Sequence, residues 1–167
     1  KNLIANKIKV SGLFLARTIH ILLKLNLPIM SSKIGLCLLH NLFAHSIENA
    51  KYSFTCGSKL AYPVRKFFEI PAKSTVLVCT PCYGFEKLGF INGENAITCD
   101  PNKTIYIHND LEKNPKKAQR IANNGCKLVL EKHSLEKRAL QFAKAVKAIK
   151  DGKYKGCYWQ NGDFFLS

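Results

Sequence analysis

The chain has 167 residues, 47% of them hydrophobic, which is enough apolar material for a domain with a buried core and excludes a disordered chain. Its 26 Lys and Arg residues outnumber 11 Asp and Glu residues and give a formal net charge of +15. The resulting positive surface field repels cations and favours anionic partners such as phosphates, nucleotides, nucleic acid or anionic lipid.

The N-terminal part predicts a short strand followed by a helix. Residues 7–11 alternate between apolar and polar side chains and end at a glycine, as a strand entering a turn does. Residues 13–25 have helical apolar periodicity, but Arg17, His20 and Lys24 interrupt it, which favours an amphipathic helix over a membrane span. Because a basic amphipathic helix also binds anionic bilayers, peripheral membrane contact stays open as an alternative.

Strands and helices alternate through the middle of the chain. The predicted helices are residues 36–49 and 62–73, the second with Pro63 in its first turn, and the predicted strands are residues 52–56, 75–79 and 96–99. The run at 75–79 is continuously apolar, which is typical of a strand buried on both faces. This alternation predicts an α/β fold, a Rossmann-like three-layer domain with a mainly parallel sheet.

The C-terminal part predicts mainly helix. A helical turn is expected at 85–90 and helices at residues 103–112, 115–131 and 134–150, with Ser134 as the N-cap of the last one. Residues 153–167 form an aromatic, turn-rich tail. We expect a single domain over residues 1–167, and the start at Lys1 without Met indicates a fragment of a longer protein.

The chain contains seven cysteines, an odd number, and most lie in apolar, strand-like contexts. This favours reduced, packed thiols and a cytoplasmic location. Cys79 and Cys82 have the spacing of a redox or zinc pair, but the sequence contains no second pair and no nearby histidine. We therefore favour a structural role for both thiols and predict no metal site.

The helix predicted at 62–73 separates its apolar and polar side chains. Val64, Phe67, Phe68 and Pro71 share one side, which leaves Arg65, Lys66 and Glu69 on the other. One interpretation is an exposed ion pair between Arg65 and Glu69. The other is a nucleotide site, because a carboxylate accepts two hydrogen bonds from a ribose diol while basic residues and a helix N-terminus hold a diphosphate.

The order of motifs resembles a known family. The runs FEIPA, GFINGEN and NPKKAQRIANNGCKLVLEKHSLEKR follow one another as in the C-terminal, donor-binding domain of GT-B glycosyltransferases of the group-1, spore-maturation-protein (CgeB) type. The resemblance covers roughly residues 45–145. This chain departs from the family pattern at Ala61, where the first Glu of a Glu-x7-Glu pair would stand, and at Ser74, where Gly is usual.

The resemblance implies a metal-independent glycosyltransferase domain that binds a nucleotide-sugar and needs no cofactor. It implies that Glu69 binds the ribose hydroxyls and that Arg65 or Lys66 binds the diphosphate. The loop residues Thr55, Gly57 and Ser58 would lie near the base or phosphates, and Arg17 would project near the same sheet edge.

The implied reaction transfers a hexosyl group to an unidentified glycan, lipid or protein acceptor, with an N-terminal domain or partner chain completing the acceptor site. Two alternatives remain open from the sequence. The first is a catalytically silent nucleotide-binding module. The second is a basic single-stranded nucleic-acid-binding domain, for which the aromatic residues of the tail would stack on bases, although no recognised RNA-binding motif supports it.

Overall fold

The computed structural model describes residues 33–167. The strand predicted at 7–11, the helix predicted at 13–25 and Arg17 lie outside the described residues. The described helices are α1 (Lys33–Asn49), α2 (Lys66–Ala72), α3 (Thr104–Lys113), α4 (Pro115–Lys132) and α5 (Leu135–Lys150), and a short 3₁₀ helix (Pro101–Lys103) precedes α3. The strands are β1 (Tyr52–Thr55), β2 (Val76–Cys79), β3 (Ile97–Thr98), β4 (Cys157–Gln160) and β5 (Asp163–Leu166).

The first three strands form a parallel sheet in the order β1-β2-β3. Tyr52 pairs with Val76, and Val78 pairs with Ile97. Every residue of the central strand β2 is buried, as its continuous apolar sequence predicts. The α/β class with a parallel sheet is therefore confirmed.

The two faces of β2 belong to different layers of the core. Because successive side chains of a strand point to opposite faces, Val76 and Val78 face one way and Leu77 and Cys79 the other. The first face packs against Leu111 of α3 and Ala118, Ile121 and Ala122 of α4. The second packs against Ile47 of α1, Phe67 and Ile70 of α2, Phe85, Phe90, and Val129 of α4. The result is a three-layer arrangement of helices, sheet and helices.

The helix after β1 begins later than the sequence predicts. Instead of a helix from residue 62, residues 58–62 form turns and bends, and α2 begins at Lys66. Ala61 has a left-handed backbone (φ 50°), and the amide of Tyr62 donates to the carbonyl of Gly57 at 3.0 Å. This loop conformation is incompatible with a helical first turn, so the prediction that Pro63 occupies one is wrong.

The aromatic tail is a β-hairpin, which the sequence interpretation missed. Strands β4 and β5 pair antiparallel around Asn161 and Gly162, which both have positive φ (52° and 84°). This is the arrangement of a tight two-residue hairpin turn, for which Asn-Gly is the preferred pair. The turn docks on the body of the domain, since the amide of Gly162 donates to the carbonyl of Lys87 at 3.0 Å.

A buried imidazole joins the hairpin to the rest of the domain. His133 Nε2 donates to the carbonyl of Leu88 (2.7 Å), and His133 Nδ1 accepts from the Arg138 guanidinium (3.1 Å). Arg138 also lies 4.0 Å from the ring centre of Trp159, within cation–π range. The preceding Ser134 caps α5 through its hydroxyl, which accepts from the amide of Lys137 and confirms the predicted N-cap.

Ser74 ends the turn after α2 with a left-handed backbone (φ 54°), which a side chain with a Cβ adopts at a cost. We predict that Ser74→Gly stabilises the domain by about 0.5–1 kcal/mol, the relief of strain less the greater chain entropy of glycine. This corresponds to a rise of about 1–4 °C in Tm. Thermal unfolding of Ser74→Ala is the control, because it removes the hydroxyl and keeps the Cβ. An equal gain in both variants would contradict the strain argument.

Burial and the nearby charges of Arg138 and Lys132 lower the pKa of His133 below its ordinary value of 6.5, against the opposing hydrogen bond to Leu88. As pH falls below about 6.5, the unfolded chain therefore binds a proton that the folded state resists, and stability decreases. We predict that His133→Gln flattens this acid-side dependence of the urea midpoint, measured from about pH 7.5 to about pH 5.5. An unchanged slope in the variant would assign the dependence to other groups.

Candidate functional site

A groove of about 350 Å³ lies between α1 and α2. Helix α1 contributes His40, Asn41, Phe43, Ala44 and Ile47, and the α2 segment contributes Arg65, Glu69, Ala72 and Lys73. Among the described residues that line this groove, Glu69 is the only carboxylate. The second helix packs here because Phe67 and Ile70 are buried against β2, which leaves Glu69 facing α1 rather than the core.

Arg65 and Glu69 form the ion pair that their spacing predicts. Arg65 Nε contacts Glu69 Oε1, and the side chains are 75% and 30% exposed. An exposed pair one helical turn apart contributes about 0.3–0.5 kcal/mol, so stability alone gives this pair little importance. The partial burial of Glu69 against α1 is what distinguishes it from an ordinary surface acid.

Lys66 and Lys73 lie at the two ends of α2. The ammonium of Lys66 lies 5.7 Å from the centre of the Phe43 ring, which positions a cation beside the groove. Lys73 Nζ lies 3.6 Å from Glu48 Oε2 at the other end of the helix. The first turn of the helix is therefore the more cationic end, because Arg65 and Lys66 adjoin there.

The loop residues predicted for the same site lie elsewhere. Thr55 ends β1, and Gly57 is buried, with its amide 3.3 Å from Thr80 Oγ1. Ser58 begins the turn that leads towards α2 and has a left-handed backbone (φ 60°). None of these three residues lines the groove that contains Glu69. The structure therefore brings Arg65 and Glu69 into one groove and places Thr55, Gly57 and Ser58 at the carboxyl end of β1.

A second cavity of about 510 Å³ lies at the carboxyl ends of β2 and β3. It is lined by Thr98, Asn92 and the turn at residues 81–87. Open parallel sheets bind ligands beyond this edge, so the cavity is a second candidate region that the sequence did not identify. Its wall combines this turn with Asn92 and Thr98, which are brought together by tertiary packing.

The thiols near this edge are packed rather than reactive. Burial, with smaller effects of Cys82 and Cys99, raises the pKa of Cys79 to about 12. Burial also raises the pKa of Cys82. A protonated thiol is a poor nucleophile and a poor metal ligand. Within residues 33–167, no cluster of three or more His, Cys, Asp or Glu side chains is arranged to hold a metal ion.

A further polar cluster joins α3 to β1 at the opposite end of the sheet. Tyr52 is the first residue of β1, and its hydroxyl contacts His108 and lies 3.3 Å from Glu112. Lys51 pairs with the same carboxylate at 3.0 Å. Burial and Glu112 raise the pKa of Tyr52 to about 12. This cluster lies at the amino ends of the strands and holds α3 against β1. Ligands of open parallel sheets bind at the opposite, carboxyl ends.

The parallel sheet with helices on both faces makes this a Rossmann-like α/β domain. The sequence profile of the glycosyl transferase-like family matches residues 31–144, which is more than half of the chain. The chain therefore belongs to the glycosyl transferase-like family. The match includes the groove with Glu69 and ends before the C-terminal hairpin. No curated protein and no solved structure gives a significant match.

Among the described residues, no helix is long and apolar enough to cross a membrane.

Gly57 is required for close packing of the loop after β1. A Cβ at this position would lie 2.9 Å from Cys82 Cβ and 3.2 Å from backbone atoms of Ala61. We predict that Gly57→Ala destabilises the domain by about 1–3 kcal/mol, as overpacking does, in urea unfolding. Gly156→Ala is the control, because its Cβ would meet only the flexible Ser167 hydroxyl, at 3.2 Å. Equal losses in the two variants would show that the loop can move aside.

Proposed function

We propose that this domain binds a nucleotide-sugar donor for transfer of a hexosyl group, as the C-terminal half of a metal-independent GT-B glycosyltransferase. The proposed type is group 1, spore-maturation-protein (CgeB). The observation that carries the proposal is Glu69. It is a partly buried carboxylate in a groove, within the part of the chain that matches a glycosyl transferase-like family.

Within the donor, the ribose is the group that the Glu69 carboxylate is suited to bind. Adjacent ribose hydroxyls are hydrogen-bond donors, and an ionised carboxylate can accept from both of them. Arg65 holds one oxygen, Oε1, and so fixes the orientation of the carboxylate while leaving acceptor capacity for the diol. The apolar wall formed by Phe43 and Ala44 supports the face of the nucleoside, and Asn41 offers an amide to polar edges of the base.

The diphosphate is assigned to the cationic start of α2. Arg65 and Lys66 supply positive charge there, whereas Thr55, Gly57 and Ser58 lie outside the groove at the carboxyl end of β1. Helix α2 has only 7 residues, so side-chain charge rather than the helix dipole carries this assignment. Basic residues that neutralise the departing diphosphate replace a metal ion in this scheme.

The groups that activate the acceptor are assigned to another domain or to a partner chain. Glu69 and Arg65 bind and orient the donor, and no catalytic base is proposed for this domain. The cavity beside Thr98 is the proposed location for the transferred sugar or its acceptor, because it lies at the carboxyl edge of the sheet. The acceptor is a glycan, a lipid or a protein, and a cytoplasmic location goes with the proposal.

The ribose assignment predicts that UDP or GDP binds with micromolar to millimolar affinity and that Glu69→Gln weakens binding by about 1–3 kcal/mol, through loss of charged hydrogen bonds. Isothermal titration calorimetry measures both affinities. Glu131→Gln is the matched control, because Glu131 is exposed on α4 and remote in sequence from the groove, and it should bind like the wild type. Absence of nucleotide binding by the wild type would overturn the proposal.

A rival function is favoured by one specific observation. The rings of Tyr158 and Phe165 stack at 5.3 Å on the hairpin and are 50% and 42% exposed, which would suit stacking on unpaired bases. If this were the function, a short single-stranded oligonucleotide would bind with a steep salt dependence that Phe165→Ala reduces. Nucleotide binding that is sensitive to Glu69, with a flat oligonucleotide response, separates the donor-binding proposal from this rival. Nucleotide binding without any transfer in the presence of the domain proposed to activate the acceptor would identify a catalytically silent module.

A further inference from the structure

Helix α5 has an apolar surface that the described domain does not cover. The helix has 16 residues and none of them is buried. Leu135, Phe142, Val146 and Ile149 are 82%, 72%, 39% and 59% exposed, and we call these four residues the α5 stripe. Single exposed apolar residues are ordinary, but a continuous set along one helix indicates a contact surface.

The α5 stripe is separate from the face that packs on the domain. At about 100° per residue, the four side chains fall within an arc of about 60°. Arg138, Gln141, Ala145 and Ala148 are partly buried and share a neighbouring arc, which is the one that faces the hairpin and the His133 cluster. The domain therefore packs against a different side of α5, and the stripe faces outward.

Cations border the stripe. Lys137, Lys144, Lys147 and Lys150 are exposed on α5, and Glu136 is the only acid in the helix. None of these four lysines forms an ion pair within the described part of the chain. On the helical wheel Lys150 lies about 40° and Lys147 about 100° from the edge of the stripe. Lys137 and Lys144 lie next to the arc that packs on the domain, where they line a cavity with β5. The exposed surface of α5 is thus apolar along one line and basic beside it.

The apolar stripe and its neighbouring lysines together favour one kind of partner surface over another. A second copy of the chain would bring its own lysines and a further +15 of formal charge against the first, so electrostatics opposes self-association. An anionic bilayer accepts the apolar stripe at the boundary between headgroups and acyl chains and attracts the flanking lysines. We propose that α5 is a docking surface for an anionic lipid membrane, on which the helix lies in the plane of the interface.

This inference goes beyond donor binding and does not depend on it. Peripheral membrane contact was an open alternative for the segment at residues 13–25, which lies outside the described residues. Here the proposed contact is α5, whose observed exposure and charge support it. The vesicle measurement below needs no nucleotide, so its failure would leave the Glu69 proposal standing.

The test is flotation of the full chain with vesicles of pure phosphatidylcholine and of phosphatidylcholine with phosphatidylglycerol. We expect binding to the anionic vesicles only, and weaker binding as salt is raised. The double variant Phe142→Ser, Ile149→Ser should partition roughly tenfold or more weakly, through loss of buried apolar area. Leu140→Ser is the matched control, because Leu140 is also exposed (59%) on α5 but lies off the stripe; it should float like the wild type.

Four results would overturn the proposal. The first is no flotation with anionic vesicles. The second is a dimer in sedimentation velocity that Phe142→Ser, Ile149→Ser dissociates while vesicle binding is absent, which would assign the stripe to a second copy. The third is equal loss of flotation in Leu140→Ser and the double variant. The fourth is a lowered Tm in the double variant without vesicle binding. The lowered Tm would show that the stripe packs against the protein's own chain.

Discussion

Burial of β2 on both faces is the constraint on which the rest of the structure depends. A strand of only four residues pairs with β1 on one side and β3 on the other and has helices above and below it. Each layer of helices packs against alternate β2 side chains, so neither layer has a core without this strand. The same burial also positions Glu69. Phe67 and Ile70 of α2 pack in the core with β2, and this fixes which side of α2 faces outward.

The cluster around His133 extends this core to the C-terminal hairpin. The imidazole joins the Leu88 carbonyl to Arg138, and Arg138 in turn lies over Trp159. This gives a structural meaning to the His-Ser-x-x-x-Arg run in the sequence: the His and the Arg meet across the helix start that the Ser caps. The run is therefore explained by packing and hydrogen bonding without any catalytic role, although it lies within the family match.

Local patterns predicted the regular elements but not the long-range partners. The apolar run of β2, the Ser134 cap of α5 and the Arg65–Glu69 spacing are local signals, and the structure follows them. The late start of α2 was missed because Ala61 takes a left-handed backbone without being glycine. The aromatic, turn-rich composition of residues 153–167 predicts an irregular tail, whereas the Asn161-Gly162 turn folds it into a hairpin. The α1 wall of the groove depends on tertiary packing, which periodicity does not encode.

The pairing of Glu69 with Arg65 resolves an electrostatic conflict in the proposed donor complex. A carboxylate that binds ribose stands close to the diphosphate of the same ligand, and like charges a few ångströms apart repel by several kcal/mol where solvent is partly excluded. Arg65 is bound to Glu69 Oε1, so the acid reaches the ligand as part of a locally neutral pair, and Lys66 beside it leaves a net positive charge for the phosphates. An ion pair that contributes little to stability can thus decide whether a carboxylate is tolerated in an anion site.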